Sequence, residues 1–327
     1  MKILITGATG FVGTVLSKKL RSRGDEVIAL VRKTSNISEL EKAKVELSYG
    51  DVTDYESLLK SSKDVDTIVH IAAVIHPVNV DESFYYKANT EGTRNVAKAA
   101  LANNVKHVIY TSSVTAYGEI RNESKEITED TECVNQGIYG KSKYQGELAL
   151  KEELEGKIPY TIFRIARVMG EGDKSLVIVA KLLKKSIFPV IGNGMTTMMP
   201  IHVEDVGGAI ILALDKKESY NQIYNLTGGE LYTKKQFLNE MAEKLNVRKP
   251  WLFIPVPLMT FFAIICEKLF LTFSKEPPLS RKKIKFFILN RRYSSKKLQE
   301  QLGFKYEHSM SQIIAEMIEW YKENQWV

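Results

Sequence analysis

At 327 residues, with 44% hydrophobic and 26% charged side chains, the chain can bury a large core and has the composition of an ordinary globular protein, which excludes collagenous, disordered and disulfide-stapled classes. Its formal charge of +7 is dispersed, with SRKKIKFF (280–287) and NRRYSSKK (290–297) the only clusters and no recognised nucleic-acid module beside them, so nucleic acid is not expected as a partner. Cys133 and Cys266 lie far apart without metal-type spacing, and the first strand opens at Lys2, so the expectation is a cytoplasmic protein without leader, structural disulfide or metal.

The first predicted element is the β-branched-rich run Ile3-Leu4-Ile5, a buried parallel strand, after which Phe11, Val12, Val15, Leu16 and Leu20 repeat at helical spacing. Gly7, Gly10 and Gly13 therefore occupy a strand-to-helix turn. Gly7 permits the turn, Gly10 lets a pyrophosphate approach the backbone at the helix N-terminus, and Gly13 lets helix and strand pack closely. By itself such a triplet also suits any tight junction of this kind.

A second strand, EVIALV (26–31), ends just before the position where a dinucleotide fold places an acid to hold the ribose 2′-hydroxyl. Arg32 stands there instead, followed by Lys33. A cation at that point favours a 2′-phosphate and hence NADP over NAD; the other reading is a pair of solvated charges. Further short apolar runs follow at 44–52, 66–73, 106–112 and 160–166, with helical patterns over 84–103 and 139–155 between them. Regular βα alternation predicts an α/β fold, a doubly wound parallel sheet of Rossmann type.

Beyond residue 166 the regularity breaks into loops, a short helix over 176–185 and Pro-punctuated segments, before MMPIHVEDVGGAIILALD and QIYNLTG return to a βα pattern. The expected organisation is a dinucleotide-binding domain over 1–166, with 198–228 returning to it, and a smaller α/β substrate domain formed mostly by 167–327.

Two stretches carry candidate chemistry: YTSSVTAYG (110–118) and YGKSK (139–143). On a helix, Tyr139 and Lys143 share one face one turn apart, and a neighbouring ammonium favours the phenolate of a group whose free pKa is about 10. Alone, Tyr-x-x-x-Lys is a common surface pair. Here the glycine turn, a serine pair and this Tyr-Lys pair all fall at the carboxyl ends of strands in one sheet, the edge where open α/β folds bind ligands.

With these motifs the sequence resembles the extended short-chain dehydrogenase/reductase family over nearly its whole length. TGATGFVG is similar to the family's cofactor turn, which implies cofactor contacts at Thr9, Phe11 and Val12 as well as the glycines. Asp51 and Val52 resemble the pair that meets the adenine, VHIAA the strand end whose Ala72 and Ala73 line the cofactor, and FRIARVMG the segment whose Val168 lies beside the carboxamide. The resemblance implies Ser113, Tyr139 and Lys143 as the catalytic set. Ser112 is the less well-spaced alternative, and Asn89 is a structural or proton-relay residue. PIHVEDVGGAI resembles a further family segment of largely structural role.

Dehydratases of the family carry an Asp-Glu pair where this chain has Val114 and Thr115, so dehydration is set aside. The C-terminal third resembles the branch of 3β-hydroxysteroid dehydrogenases and dihydroflavonol reductases, which implies hydride transfer to or from a compact apolar ketone or alcohol. A sugar-nucleotide epimerase and an NADP-binding regulator without turnover are the alternatives. In the segment 251–273, Leu258, Phe261, Phe262, Ile265, Leu269 and Phe273 recur at helical spacing. Pro255, Pro257, Glu267 and Lys268 leave too short a run to span a bilayer. That face is expected to wall the substrate site and to offer a membrane-surface contact, aided by the basic residues from Arg281 to Lys285. The resemblance also admits a homodimer.

Overall fold

The computed structural model describes residues 1–75, 81–118, 126–134, 137–271, 277, 279–281, 284, 290 and 292–327. Its centre is a parallel sheet built from β1 (Lys2–Thr6), β2 (Glu26–Val31), β3 (Glu46–Tyr49), β4 (Thr67–His70), β5 (His107–Ser113), β6 (Tyr160–Ile165) and a late strand, Gln222–Leu226. Across the sheet the order is Gln222–Leu226, β6, β5, β4, β1, β2, β3. The chain runs outward from β1 through β2 to β3, then restarts on β1's other side with β4. The order therefore reverses between β1 and β4, the point beyond whose carboxyl ends open α/β sheets form their ligand crevice.

The strands read as unbroken apolar runs because both faces of the sheet are covered. Ile3 and Ile5 of β1 pack with Leu16 and Leu20 of helix Phe11–Arg23 and with Val206, Ala209 and Ile210 of helix Val203–Asp215. Leu4 points the opposite way, into a second core with Val96 and Ala100 of helix Gly92–Ala102 and Leu150 and Leu154 of helix Ile138–Leu154. This period-two division continues through β2, β4, β5 and β6.

Gln222–Leu226 pairs in parallel with β6 in the register Tyr224↔Phe163. A third core gathers Leu183, Phe237, Met241, Ile314 and Met317 from helices Val177–Lys184, Lys234–Lys244 and Met310–Glu323. Two-residue strands tie these parts together, Val168–Met169 to Ile201–His202 and Val190–Ile191 to Phe253–Ile254.

One predicted helix differs in kind. The 84–103 pattern is a short α-turn at Glu82–Tyr85, a π-helical stretch Tyr86–Glu91, and only then α-helix from Gly92. The wider π-turn swings Asn89 inward, where it is fully buried. Among the described residues no helix is long and apolar enough to cross a membrane.

Candidate active site

The glycine turn lies at the carboxyl end of β1. Gly7 has φ +75, and a Cβ there would come within 2.6 Å of the Ala72 nitrogen, so the turn is pressed against the chain leaving β4. Gly13 is more tightly constrained: a Cβ would sit 2.1 Å from the Gly7 carbonyl oxygen. Gly10 is the N-cap of helix Phe11–Arg23 and supplies no side-chain acceptor to its first amides. Those donors face the crevice without a cap from the chain, the arrangement an anionic group requires. Phe11 at the helix start is covered by the loop at Gly172, where a Cβ would be 3.2 Å from its ring, while Thr9 and Val12 are half-buried.

Arg32 is exposed one residue beyond β2, the strand beside β1. Asp51 follows β3 and accepts from the Thr53 amide and hydroxyl at 2.9 and 2.8 Å, so its carboxylate already orders a turn. The Val52 carbonyl accepts from Asn95 at 3.1 Å. Ala72 donates its amide to Thr6 Oγ1 at 3.3 Å, and Ala73, half-buried, continues along the same edge. Val168, also half-buried, heads the two-residue strand paired with Ile201.

Ser113 closes β5 and caps the short 3₁₀ turn Val114–Tyr117, its hydroxyl oxygen accepting from the Thr115 amide at 3.2 Å and hydroxyl at 2.9 Å. It also hydrogen-bonds the Tyr139 hydroxyl. Ser112, one residue earlier and so on the opposite face of the strand, donates to Glu147 at 2.5 Å. The two serines have separate assignments, and only Ser113 meets the tyrosine. Helix Ile138–Leu154 comes this close because Gly140 presents no side chain: a Cβ would be 2.2 Å from the Thr115 carbonyl oxygen.

The electrostatics depart from the sequence expectation. Burial pushes the Tyr139 phenol up to about 12, opposed by the Ser113 hydrogen bond, whereas a depressed value was expected from Lys143. Lys143 is itself almost fully buried and places Nζ 4.2 Å from the centre of the Tyr110 ring. Burial lowers its pKa to about 7, with Glu147 opposing. Low solvation thus dominates both groups, raising the phenol and lowering the ammonium.

Asn89 acts as a clamp. Its side chain accepts from the Val74 amide at 2.7 Å, donates to the Val74 carbonyl at 3.0 Å and donates to Ser142 Oγ at 3.0 Å, and Ser142 donates to the Tyr139 carbonyl at 2.9 Å. Thr93 extends the chain from the Asn89 carbonyl at 2.7 Å to His70 Nε2 at 3.0 Å, and His70 Nδ1 meets Thr6 Oγ1 at 2.6 Å. A buried polar line therefore joins the glycine turn to the tyrosine helix, with His70 held neutral by burial and by nearby Lys143, its pKa about 3.

Sequence reasoning missed His70, Thr93, Ser142 and the buried pair Glu147–Arg164, which is bidentate at 3.0 and 2.7 Å. Glu147 carried a signal: it falls four residues after Lys143 on the face already singled out.

Away from these residues in the chain, His202, Asp205 and His308 bring their ligating atoms within 4.8 Å of one another. His202 Nδ1 accepts from the Glu204 amide at 3.3 Å, its buried Nε2 lies 2.9 Å from a Glu316 oxygen without making a hydrogen bond, and His308 Nδ1 pairs with Asp205 at 2.8 Å.

Comparison with known proteins agrees with this architecture. An Escherichia coli O157:H7 protein, N-acetyl-alpha-D-glucosaminyl-diphospho-ditrans,octacis-undecaprenol 4-epimerase, is 28% identical over 95% of this chain and 92% of its own. Sterol demethylase protein B of Methylococcus capsulatus is 27% identical over 99% of both. The crystal structure of a Thermotoga maritima UDP-glucose 4-epimerase with UDP-glucose superposes with a TM-score of 0.80 over 99% of this chain and 100% of its own, at 22% identity, a likeness of fold. Residues 3–227 match the model of the NAD-dependent epimerase/dehydratase family, and the chain belongs to that family.

Proposed function

We propose that the protein is an NADP-preferring oxidoreductase that transfers hydride between the nicotinamide and the carbon of a ketone or secondary alcohol on an apolar substrate. The observation that carries this reading is the Ser113–Tyr139 hydrogen bond at the carboxyl edge of the sheet, one helical turn from Lys143 and across the crevice from an uncapped glycine turn. The bound dinucleotide supplies or accepts the hydride. Gly7, Gly10 and Gly13 fit its pyrophosphate, since the turn has no room for side chains and leaves the helix amides open. Arg32 is suited to a 2′-phosphate.

The chain's own residues then handle the oxygen. Ser113 and Tyr139 converge on one point, Ser113 orienting the substrate oxygen and Tyr139 exchanging the hydroxyl proton with it. A phenol held near 12 stays protonated at neutral pH, which suits donation to a ketone oxygen during reduction. Lys143, one turn from Tyr139, would hold the cofactor ribose. The named relatives support an apolar substrate, since one is described by an undecaprenol-linked sugar and the other by a sterol.

The E. coli relative also favours a second reading, epimerisation at a sugar carbon by the same three residues. Steady-state assays on a panel of bulky ketones and on nucleotide-linked and polyprenyl-linked sugars separate the two. Tyr139→Phe should lower kcat by at least about 100-fold with cofactor affinity unchanged. Efficient epimerisation without net cofactor turnover would replace the reductase reading, and a fully active Phe variant would remove Tyr139 from the chemistry.

A further inference from the structure

Helix Val256–Leu271 is apolar on two opposite faces. Met259 and Ala263 are buried with Ile191 and Ile284, which anchors the helix to the protein. Leu258, Phe261, Phe262, Ile265 and Leu269, at spacing i, i+3, i+4, i+7 and i+11, form a stripe open to solvent, exposed by 46, 57, 46, 40 and 59%. These five side chains are open to solvent; Phe273 and most of the basic run ending at Lys285 fall outside the described residues.

The stripe continues beyond the helix. Trp251, Leu252 and Phe253 immediately precede it and are also exposed. The register Phe253↔Val190 runs the segment before Val190 alongside them, adding exposed Ile187. Isolated exposed apolar residues need no explanation, whereas a connected set dominated by aromatic and large aliphatic side chains does.

Positive charge borders this surface. Arg248 lies over the Trp251 ring at 5.9 Å and Lys235 over the Phe253 ring at 5.4 Å, while Lys184 and Lys185 are exposed just before Ile187. Two neighbouring acids are already paired, Glu243 with Lys249 at 3.3 Å and Glu267 with Arg281 at 2.8 Å.

We infer that this surface docks on the anionic leaflet of a phospholipid bilayer, the helix lying in the plane of the interface. The 16-residue helix is about 24 Å long, shorter than the roughly 30 Å hydrocarbon core, and its opposite face is fastened to the protein, so it lies on the membrane rather than crossing it. An apolar stripe with tryptophan and bordering cations matches an interfacial segment, the rings entering the headgroup boundary and the cations meeting lipid phosphates. A second copy is the poorer occupant, because a two-fold contact over this face would bring its border cations together.

Flotation of the full chain with phosphatidylcholine vesicles, with and without phosphatidylserine, tests the inference. Binding should require phosphatidylserine, weaken as salt is raised, and fall at least about tenfold in the exposed triple variant Phe261→Ser/Ile265→Ser/Leu269→Ser. Lys184→Glu/Lys185→Glu should weaken it by about fivefold or more for each lysine. Quenching of Trp251 by brominated lipid, read as the difference between the natural chain and Trp251→Phe, checks insertion without the triple variant. Failure to bind either vesicle would overturn the inference, as would unquenched Trp251 or a dimer dissociated by the triple substitution.

Discussion

Arg32 shows how one side chain at a strand end sets ligand choice. It is exposed beyond β2, next to the glycine turn, and a charge-assisted contact to a phosphate contributes roughly 1.5–3 kcal/mol. Fluorescence titration should therefore show NADPH binding at least about tenfold more tightly than NADH, with Arg32→Ala removing most of the difference. Equal affinities in the natural chain would make Arg32 a solvated surface charge. The candidate site was legible where its chemistry is local: Tyr139 and Lys143 are one turn apart, and the serine pair sits on one strand. It was illegible where partners come from distant parts of the chain. His70 lies inside an apolar run and gives no periodic signal, and its contacts to Thr6 and Thr93 arise only from the sheet order. The raised Tyr139 pKa was missed for a similar reason, since spacing reports a neighbouring charge but not how much solvent surrounds both groups.

At the scale of the element, the glycine turn separates packing from ligand contact. A methyl group at Gly13 would collide with the rigid Gly7 carbonyl at 2.1 Å, so Gly13→Ala must displace helix Phe11–Arg23 from β1. Overpacking of this kind costs typically about 1–3 kcal/mol. A Cβ at Gly10 meets the same oxygen at 3.2 Å, a contact that a small shift relieves. Thermal melts should therefore show a clear loss for Gly13→Ala and little change for Gly10→Ala, while cofactor titration shows weakened binding in both. Unchanged binding in Gly10→Ala would place the phosphates elsewhere. Periodicity revealed the strands well because both sheet faces are covered, but it could not foresee the π-turn that aims Asn89, since a single inserted residue barely alters an apolar pattern.

Across the whole molecule, buried histidines link stability to pH. Burial lowers His70 to about 3 and His107 to about 4, against an ordinary value near 6.5 in the unfolded chain. The unfolded state therefore binds protons that the folded state refuses. Their contribution is fully present above pH ~6.5 and is lost as pH falls toward those values, by up to ~1.4 kcal/mol per pH unit for each histidine. Urea midpoints should decline across this window, and His107→Gln, which retains a hydrogen-bonding partner for Thr161, should flatten the decline above pH ~4. A slope identical to that of the natural chain would show that His107 does not contribute. The returning strand has a different consequence, one for synthesis. β6 ends at Ile165, but the strand that covers its open edge begins only at Gln222. At roughly 5–20 residues per second, a ribosome takes several seconds to deliver the intervening ~60 residues. Until then the nascent protein exposes one unpaired edge of an otherwise formed sheet, a template for wrong pairing with other chains and a natural point of engagement for a chaperone.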